Sequence, residues 1–398
     1  MKSILKNIEG DKTIWAIVAL LGIFSFLPVY SASSNLVYVV DKGTTFGYFI
    51  KHGILLFIGF IIIYAVHKIP YKYFSATSVL LYPVVLILLL ITLLQGHSIN
   101  GANASRWINI PLIGIGFQTS TLAGVVLMMY VARYLAKNKE KEIEFKQSLI
   151  QLWLPVGLIL ALILPANLST TILFFIMVIF LVFLGGYPLR YIAAIISLAI
   201  LSLAIFVLTA KAFPSFMPNR VDTWMSRIEK FSDKSNTRAN YQAERAKRAI
   251  ASGKIYGKGP GKSVQKNFLP QSSSDFIYAI IIEEFGFIGG VVLLILYLGL
   301  LFRILFVANK SNSIFGSLLV IGVGLPIIFQ AFTNIAVAVG LFPITGQPLP
   351  LISTGGTSIW MTCLSVGIIL SVSSQKEIIQ INEDKTENAL DILHEAIN

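Results

Sequence analysis

The sequence predicts an all-α integral membrane protein with ten transmembrane helices and one large extracytoplasmic loop between helices 7 and 8. Three observations predict it. Hydrophobic residues make up 56% of the 398 positions and charged residues only 13%, where a soluble globular chain carries about 25% charged. Mean hydropathy is +0.78. The apolar residues fall in ten runs of roughly the length needed to cross a bilayer. No ordinary core absorbs that much apolar surface, which excludes a soluble enzyme, a disulfide scaffold and a disordered chain. The single cysteine, Cys363, lies in an apolar run, so neither an intrachain disulfide nor a Cys-based metal site is expected.

The first run, 14–30, follows Lys2, Lys6 and Lys12 and precedes Ser31-Ala32-Ser33, the outline of a signal peptide. Nine further runs make it a retained anchor instead. Runs 47–67, 76–95, 117–136, 149–164, 168–185 and 190–210 follow. The eighth, 276–307, is too long for one straight helix, and Gly286, Gly289 and Gly290 interrupt it, predicting a kink or a partly re-entrant entry. Runs 314–341 and 355–373 complete the set. An even count puts both termini on one side. With the N-terminus inside, the inner segments hold fifteen Lys and Arg, whereas the short outer segments hold Lys42, Lys51 and Arg106. Both termini are therefore expected in the cytoplasm. The chain then divides into an N-terminus (1–13), a membrane domain (14–373) containing the outer loop (211–274), and an acidic tail (374–398) suited to a soluble tail or a partner contact.

The outer loop carries thirteen of the cations and four acids, Asp222, Glu229, Asp233 and Glu244. Attraction to anionic headgroups and binding of a phosphate-bearing substrate both fit that charge. The loop has few large aliphatic residues, so it is expected to be mobile alone and ordered by a partner or substrate. Among the acids, Asp275, Glu283 and Glu284 sit at or inside an apolar run, where a carboxylate is either paired or functional. Asp275 opens the run after Gln271-Ser272-Ser273-Ser274, at a helix start on the outer face. Glu283 lies about 12 Å further along a continuous helix, and Glu284 is expected on the opposite face. The site therefore offers one carboxylate. A diphosphate leaving group departs without a proton and is stabilised by cations; only the incoming hydroxyl needs a base. One aspartate beside a basic loop thus fits glycosyl transfer from a lipid-linked diphosphate sugar.

Gly257-Lys258-Gly259-Pro260-Gly261-Lys262-Ser263 superficially suggests a nucleotide P-loop, but the glycine required earlier is Tyr256 and no strand precedes it. The turn reads either as a lysine-lined cradle for a lipid diphosphate or as a tight connection. Arg106-Trp107, in the segment 96–117, reads as an interfacial anchor or as part of the site. His52, His67, His97 and His394 are scattered and suggest no metal site.

At this point three stretches together resemble a known family. Residues 257–286, with Asp275 and Glu283, look like the hallmark of the SEDS family (shape, elongation, division and sporulation). Residues 342–358 resemble its second hallmark, and 100–108 with Gln118 a third. The resemblance covers roughly 14–373. It implies an inverting peptidoglycan glycosyltransferase that polymerises lipid II, an undecaprenyl-diphosphate-linked disaccharide-pentapeptide, into glycan strands. It also implies a location in the bacterial cytoplasmic membrane. The implied partners are a single-pass class B penicillin-binding protein transpeptidase and other divisome proteins, with the lipid bilayer around the chain and no nucleic acid. The family's essential aspartate falls on Asp275 and its arginine-tryptophan pair on Arg106 and Trp107. Lys258, Lys262, Gln265, Lys266 and Ser353 are the further substrate-binding candidates. No resident cofactor is expected; magnesium or manganese is left open as an aid to the diphosphate.

The chain departs from the family pattern in places. The usual Gln-Pro-Ser-Glu with a following lysine is Gln118-Thr119-Ser120-Thr121 with Gly124, so an intramembrane Glu–Lys pair is missing. The usual aspartate of a further motif is Asn167. Gln271 and Ser273 replace a glutamate and a histidine before Asp275, and Thr354 replaces a tyrosine. Ser105-Arg106-Trp107-Ile108 and the acidic tail favour the division type over the elongation type. A lipid II flippase and a non-enzymatic division scaffold are the rival readings.

Overall fold

A computed structural model describes residues 9–40, 44–95, 107–109, 116–212, 241–269 and 271–374. Helices α1 (Lys12–Val40), α2 (Thr45–Val66) and α3 (Lys72–Gln95) lead into a short antiparallel hairpin, β1 (Trp107–Asn109) and β2 (Gly116–Gln118), in which Trp107 pairs with Gln118. Then come α4 (Thr119–Lys137), α5 (Phe145–Ile163), α6 (Leu168–Leu184), α7 (Leu189–Ala212), α8 (Tyr241–Gly253), α9 (Ile277–Lys310), α10 (Ile314–Ala338) and α11 (Thr357–Ser374). Among the described residues nine helices are long and apolar enough to cross a membrane, and α6 is a shorter apolar helix. Each matches one of the expected runs.

Local chemistry fixes several helix starts. The Asp11 carboxylate accepts from the amides of Thr13 (2.9 Å) and Ile14 (3.0 Å), capping α1, and it also pairs with Arg303 near the end of α9. Thr44, Asn167 and Ser313 cap α2, α6 and α10 in the same manner. Helices α4 and α11 form the centre, 72% and 78% buried over their apolar windows, while α7 is only 11% buried and turns its Leu and Ile side chains outward. For a membrane protein that outward apolar face is the expected one, since lipid is its solvent.

The expected interruption of the eighth run falls at Gly286. Its backbone (φ 71°, ψ −174°) splits α9 into a half-helix, 277–285, and a long helix beyond. A broken helix exposes unpaired backbone groups, which are costly at membrane depth. Here the segment after α8 satisfies them. The amides of Lys258 and Gly259 donate to the carbonyls of Glu283 and Glu284, both at 2.9 Å, and the amides of Phe287 and Ile288 donate to the carbonyls of Lys254 (2.9 Å) and Ile255 (3.3 Å). Backbone meets backbone so closely that a Cβ on Gly257 would lie 2.2 Å from the Glu284 carbonyl oxygen, and one on Gly253 2.0 Å from that of Ile282.

Part of the expected outer loop, 241–269, is docked against α9. Residues 213–240 lie outside the described residues. Alanines contribute to the packing of this portion beside Leu269 and Ile250: Ala246 and Ala249 are fully buried. Small side chains let α8 approach α9 closely, and the two buried glutamates supply the polar anchor that hydropathy does not register.

Candidate functional site

Asp275 lies in the turn 271–276, immediately before the half-helix begins at Ile277, and is half-buried. Its amide donates to the carbonyl of Gln271 (3.1 Å), a residue held at φ 59°. The segment ahead of the carboxylate is strapped by the second motif. Ser353 Oγ donates to the Ser274 carbonyl (2.6 Å), and both the amide and the hydroxyl of Thr354 donate to the Ser273 carbonyl (2.9 and 3.0 Å). From α10, Asn334 Nδ2 donates to the carbonyls of Asp275 and Gln347, both at 2.8 Å.

The second motif is itself fixed from several sides. Tyr297 OH donates to the Pro350 carbonyl (2.6 Å) and Gln330 Nε2 to that of Pro348 (3.0 Å). Gln347 Nε2 reaches Thr170 Oγ1 (2.8 Å), beside the α6 cap Asn167. The Gln118 amide donates to Thr357 Oγ1 (3.1 Å), which ties the β-hairpin to the start of α11. Four stretches separated by tens to hundreds of positions thus meet around the turn that carries Asp275. Asn334, Gln347 and Thr354 were not among the candidates read from the sequence. A lone asparagine inside an apolar helix was the available signal for Asn334, because a buried amide must find partners.

The other candidates land as follows. Trp107 is half-buried on β1, opposite Gln118; Arg106 lies outside the described residues. Ser353 is buried, its hydroxyl donating to the Ser274 carbonyl and accepting from the Leu349 amide (2.7 Å), so it holds the turn. Lys258, a third exposed, and Lys266, buried, both have partners within the protein. Lys258 Nζ pairs with Glu283 Oε1 (2.7 Å), and buried Lys266 Nζ donates to Ser31 Oγ (3.0 Å) and the Gly261 carbonyl (2.8 Å). Lys262 is exposed. The Gln265 amide donates to Glu283 Oε2 (3.1 Å) and its side chain accepts from Arg245 (3.5 Å). The glycine–lysine turn joins the two parts of the broken helix and leaves Lys262 exposed at its surface.

Glu283 and Glu284 correct another expectation. They do not face opposite sides: Ser263 bridges them, its hydroxyl donating to Glu283 Oε2 and its amide to Glu284 Oε1 (3.2 Å). Successive helical residues are about 100° apart, not 180°, so one loop segment reaches both. The missing family lysine also has a structural counterpart. A Cβ on Gly124 would sit 2.3 Å from Phe174 Cζ, so an aromatic ring fills the space where a longer side chain would run. Among the described residues no group of three or more His, Cys, Asp or Glu side chains could hold a metal ion.

Fold and site define a polytopic helical membrane protein that presents one carboxylate at the head of a half-helix, strapped by loops from distant parts of the chain. The family model described as cell cycle protein, FtsW/RodA/SpoVE, matches residues 11–378. A relative from a Geobacter species, named probable peptidoglycan glycosyltransferase FtsW, is 32% identical over 377 residues, covering 93% of this chain and 99% of its own length. A relative of the same name from Escherichia coli is 30% identical over 378 residues, covering 92% and 87%. Among solved structures, a chain from a peptidoglycan synthase complex that coordinates polymerization and crosslinking superposes with a TM-score of 0.71 at 25% identity, covering 92% of this chain and 98% of that one. The rod shape determining protein RodA of Thermus thermophilus shares the fold, with a TM-score of 0.65 at 23% identity over 92% of this chain and 97% of its own. This chain belongs to the FtsW/RodA/SpoVE family, the SEDS proteins.

Proposed function

We propose that this protein is a peptidoglycan glycosyltransferase that polymerises lipid II at the outer face of the bacterial cytoplasmic membrane, with a role in cell division. The observation that carries the reading is the strapped turn: three side chains from two separate segments, Ser353-Thr354 and α10, donate to the carbonyls of Ser273, Ser274 and Asp275, which fixes the backbone that presents the carboxylate. In this reading Asp275 accepts the proton of the incoming sugar hydroxyl as that oxygen attacks the anomeric carbon of the donor. The diphosphate leaves from the opposite face, so the configuration at that carbon inverts. Exposed Lys262 is the cation of the glycine turn placed to meet the diphosphate. A divalent ion, if used, would rest on Asp275 and the substrate oxygens, since no protein cluster is offered among the described residues.

Both termini are assigned to the cytoplasm, on the charge bias of the loops. A class B penicillin-binding protein is the proposed partner, supported by the synthase complex in which the structural neighbour was solved. A flippase would need a carboxylate at membrane depth that is available for ion coupling. Glu283 is instead held by five donors; Glu284 is held by two, both on Oε1, while its buried Oε2 has no partner among the described residues, so it is the one carboxylate on which a flippase reading could rest. The test is polymerisation of labelled lipid II by the purified chain, with and without its transpeptidase. Polymer made by the wild type and lost in Asp275→Asn supports the reading; equal polymer from a folded Asp275→Asn protein overturns it.

A further inference from the structure

Glu283 is completely buried, and all its bonding capacity is directed at one segment. Oε1 accepts from Lys258 Nζ (2.7 Å), Ser252 Oγ (3.2 Å) and the Val264 amide (3.2 Å). Oε2 accepts from Ser263 Oγ and the Gln265 amide (3.1 Å). Its neighbour Glu284 accepts from Ser31 Oγ on α1 and from the Ser263 amide. Lys266 Nζ closes the network through that same Ser31 hydroxyl. Two buried carboxylates, two lysines and three serines from α1, α9 and the 252–266 segment thus form one polar cluster.

Its position gives it a task. The half-helix 277–285 spans about 13 Å, with Asp275 just ahead of one end and Glu283 near the other. A helix of nine residues is too short to be stable by itself. Gly286 also breaks its continuity with the rest of α9, so that helix does not fix its direction. The half-helix is held at its two ends: by Ser353, Thr354 and Asn334 at the Asp275 end, and by the segment after α8 at the Glu283 end.

We infer that Glu283 is a positioning residue for Asp275: by clamping the far end of the half-helix to Lys258, Ser263 and the amides of Val264 and Gln265, it holds the near end, and with it the base, in one orientation. This rests on reading Asp275 as the general base. Lys266 is buried and Lys258 is paired with Glu283, so the cluster is assigned a mechanical task and its loss is expected in kcat more than in KM.

The test uses the full-length protein in lipid nanodiscs, wild type and Glu283→Ala, Glu283→Gln and Ser263→Ala. Two readouts are taken: kcat and KM for lipid II, and amide hydrogen exchange of residues 271–276. In Glu283→Ala, kcat falls about a hundredfold, the penalty of a reacting group displaced by about 1 Å, while KM stays within about threefold. Exchange at 271–276 accelerates about tenfold or more as the half-helix loosens. Ser263→Ala, which removes one donor and keeps the charge pair, shifts both readouts in the same direction by less, and it carries the test if Glu283→Ala does not fold. Unchanged exchange at 271–276 in a variant whose 252–269 amides have been freed overturns the inference. So does a rise in KM with kcat retained, which would make the segment a substrate contact. If the wild type makes no polymer yet Glu283→Ala still frees 271–276, the transferase reading fails while the clamp is upheld.

Discussion

Asn334 offers a sharp test of how the site is held. It is 1% exposed on α10, and its amide nitrogen donates to the carbonyls of Asp275 and Gln347, both at 2.8 Å. Both partners are acceptors, so the nitrogen must face them, and the buried Oδ1 has no partner. Asn334→Leu keeps the size and removes both bonds. Leaving a buried carbonyl without its donor costs about 1–3 kcal/mol, so two cost about 2–6 kcal/mol. Removing the unpartnered Oδ1 returns about 1–2 kcal/mol. The net expectation is a loss of about 0–5 kcal/mol, concentrated at the junction of the two motifs and larger for the buried bond to Gln347 than for the part-buried bond to Asp275. Asn334→Asp is chemically the smaller change but should be worse, because it places a carboxylate against two carbonyl oxygens in a buried site. The assay is thermal unfolding in detergent alongside lipid II polymerisation. The expected order in both is wild type, then Leu, then Asp. An aspartate variant as stable and active as wild type would refute the bridging role.

Asp275→Asn should lower polymerisation by about 10²–10⁴-fold, the contribution of a general base, with melting unchanged; kcat measured on the purified variant decides it. Gly257→Ala should destabilise by about 2 kcal/mol or more. The residue sits at φ 81° and the new Cβ would meet the Glu284 carbonyl oxygen and the Gly286 nitrogen, neither of which is a flexible side-chain end. Gly261→Ala, also at positive φ but with open space around its Cβ, should cost less in the same melting series. Among the three lysines of the turn, Lys262→Gln should weaken lipid II use and flatten its salt dependence with stability unchanged. Lys258→Gln should mainly lower stability, since it leaves Glu283 buried without its counter-charge. Equal effects of the two on a salt series would show that the buried pair does not exist in solution.

Much of this protein is legible in one dimension because lipid imposes a one-dimensional rule. A segment must be apolar over the thickness of the bilayer, and the runs that meet that rule in the sequence are the helices found. The break at Gly286 was readable for the same kind of reason, since only glycine adopts φ 71° there without strain. The place of Asp275 just ahead of a helix was readable because a carboxylate beside an apolar run is rare enough to stand out. What the side chains do to one another was not readable. Lys258 and Lys266 carry the same charge as Lys262 and lie at four-residue intervals with it, yet two are consumed by Glu283 and Ser31 and one is exposed. Glu283 and Glu284 share a serine only because a segment some twenty residues upstream folds back across the gap in α9. The hold of Ser353, Thr354 and Asn334 on the turn before Asp275 joins positions 59 to 81 residues apart. Hydropathy is a property of each residue and its neighbours in the chain. A hydrogen-bond partner is a property of where the chain returns, and only the tertiary structure decides that.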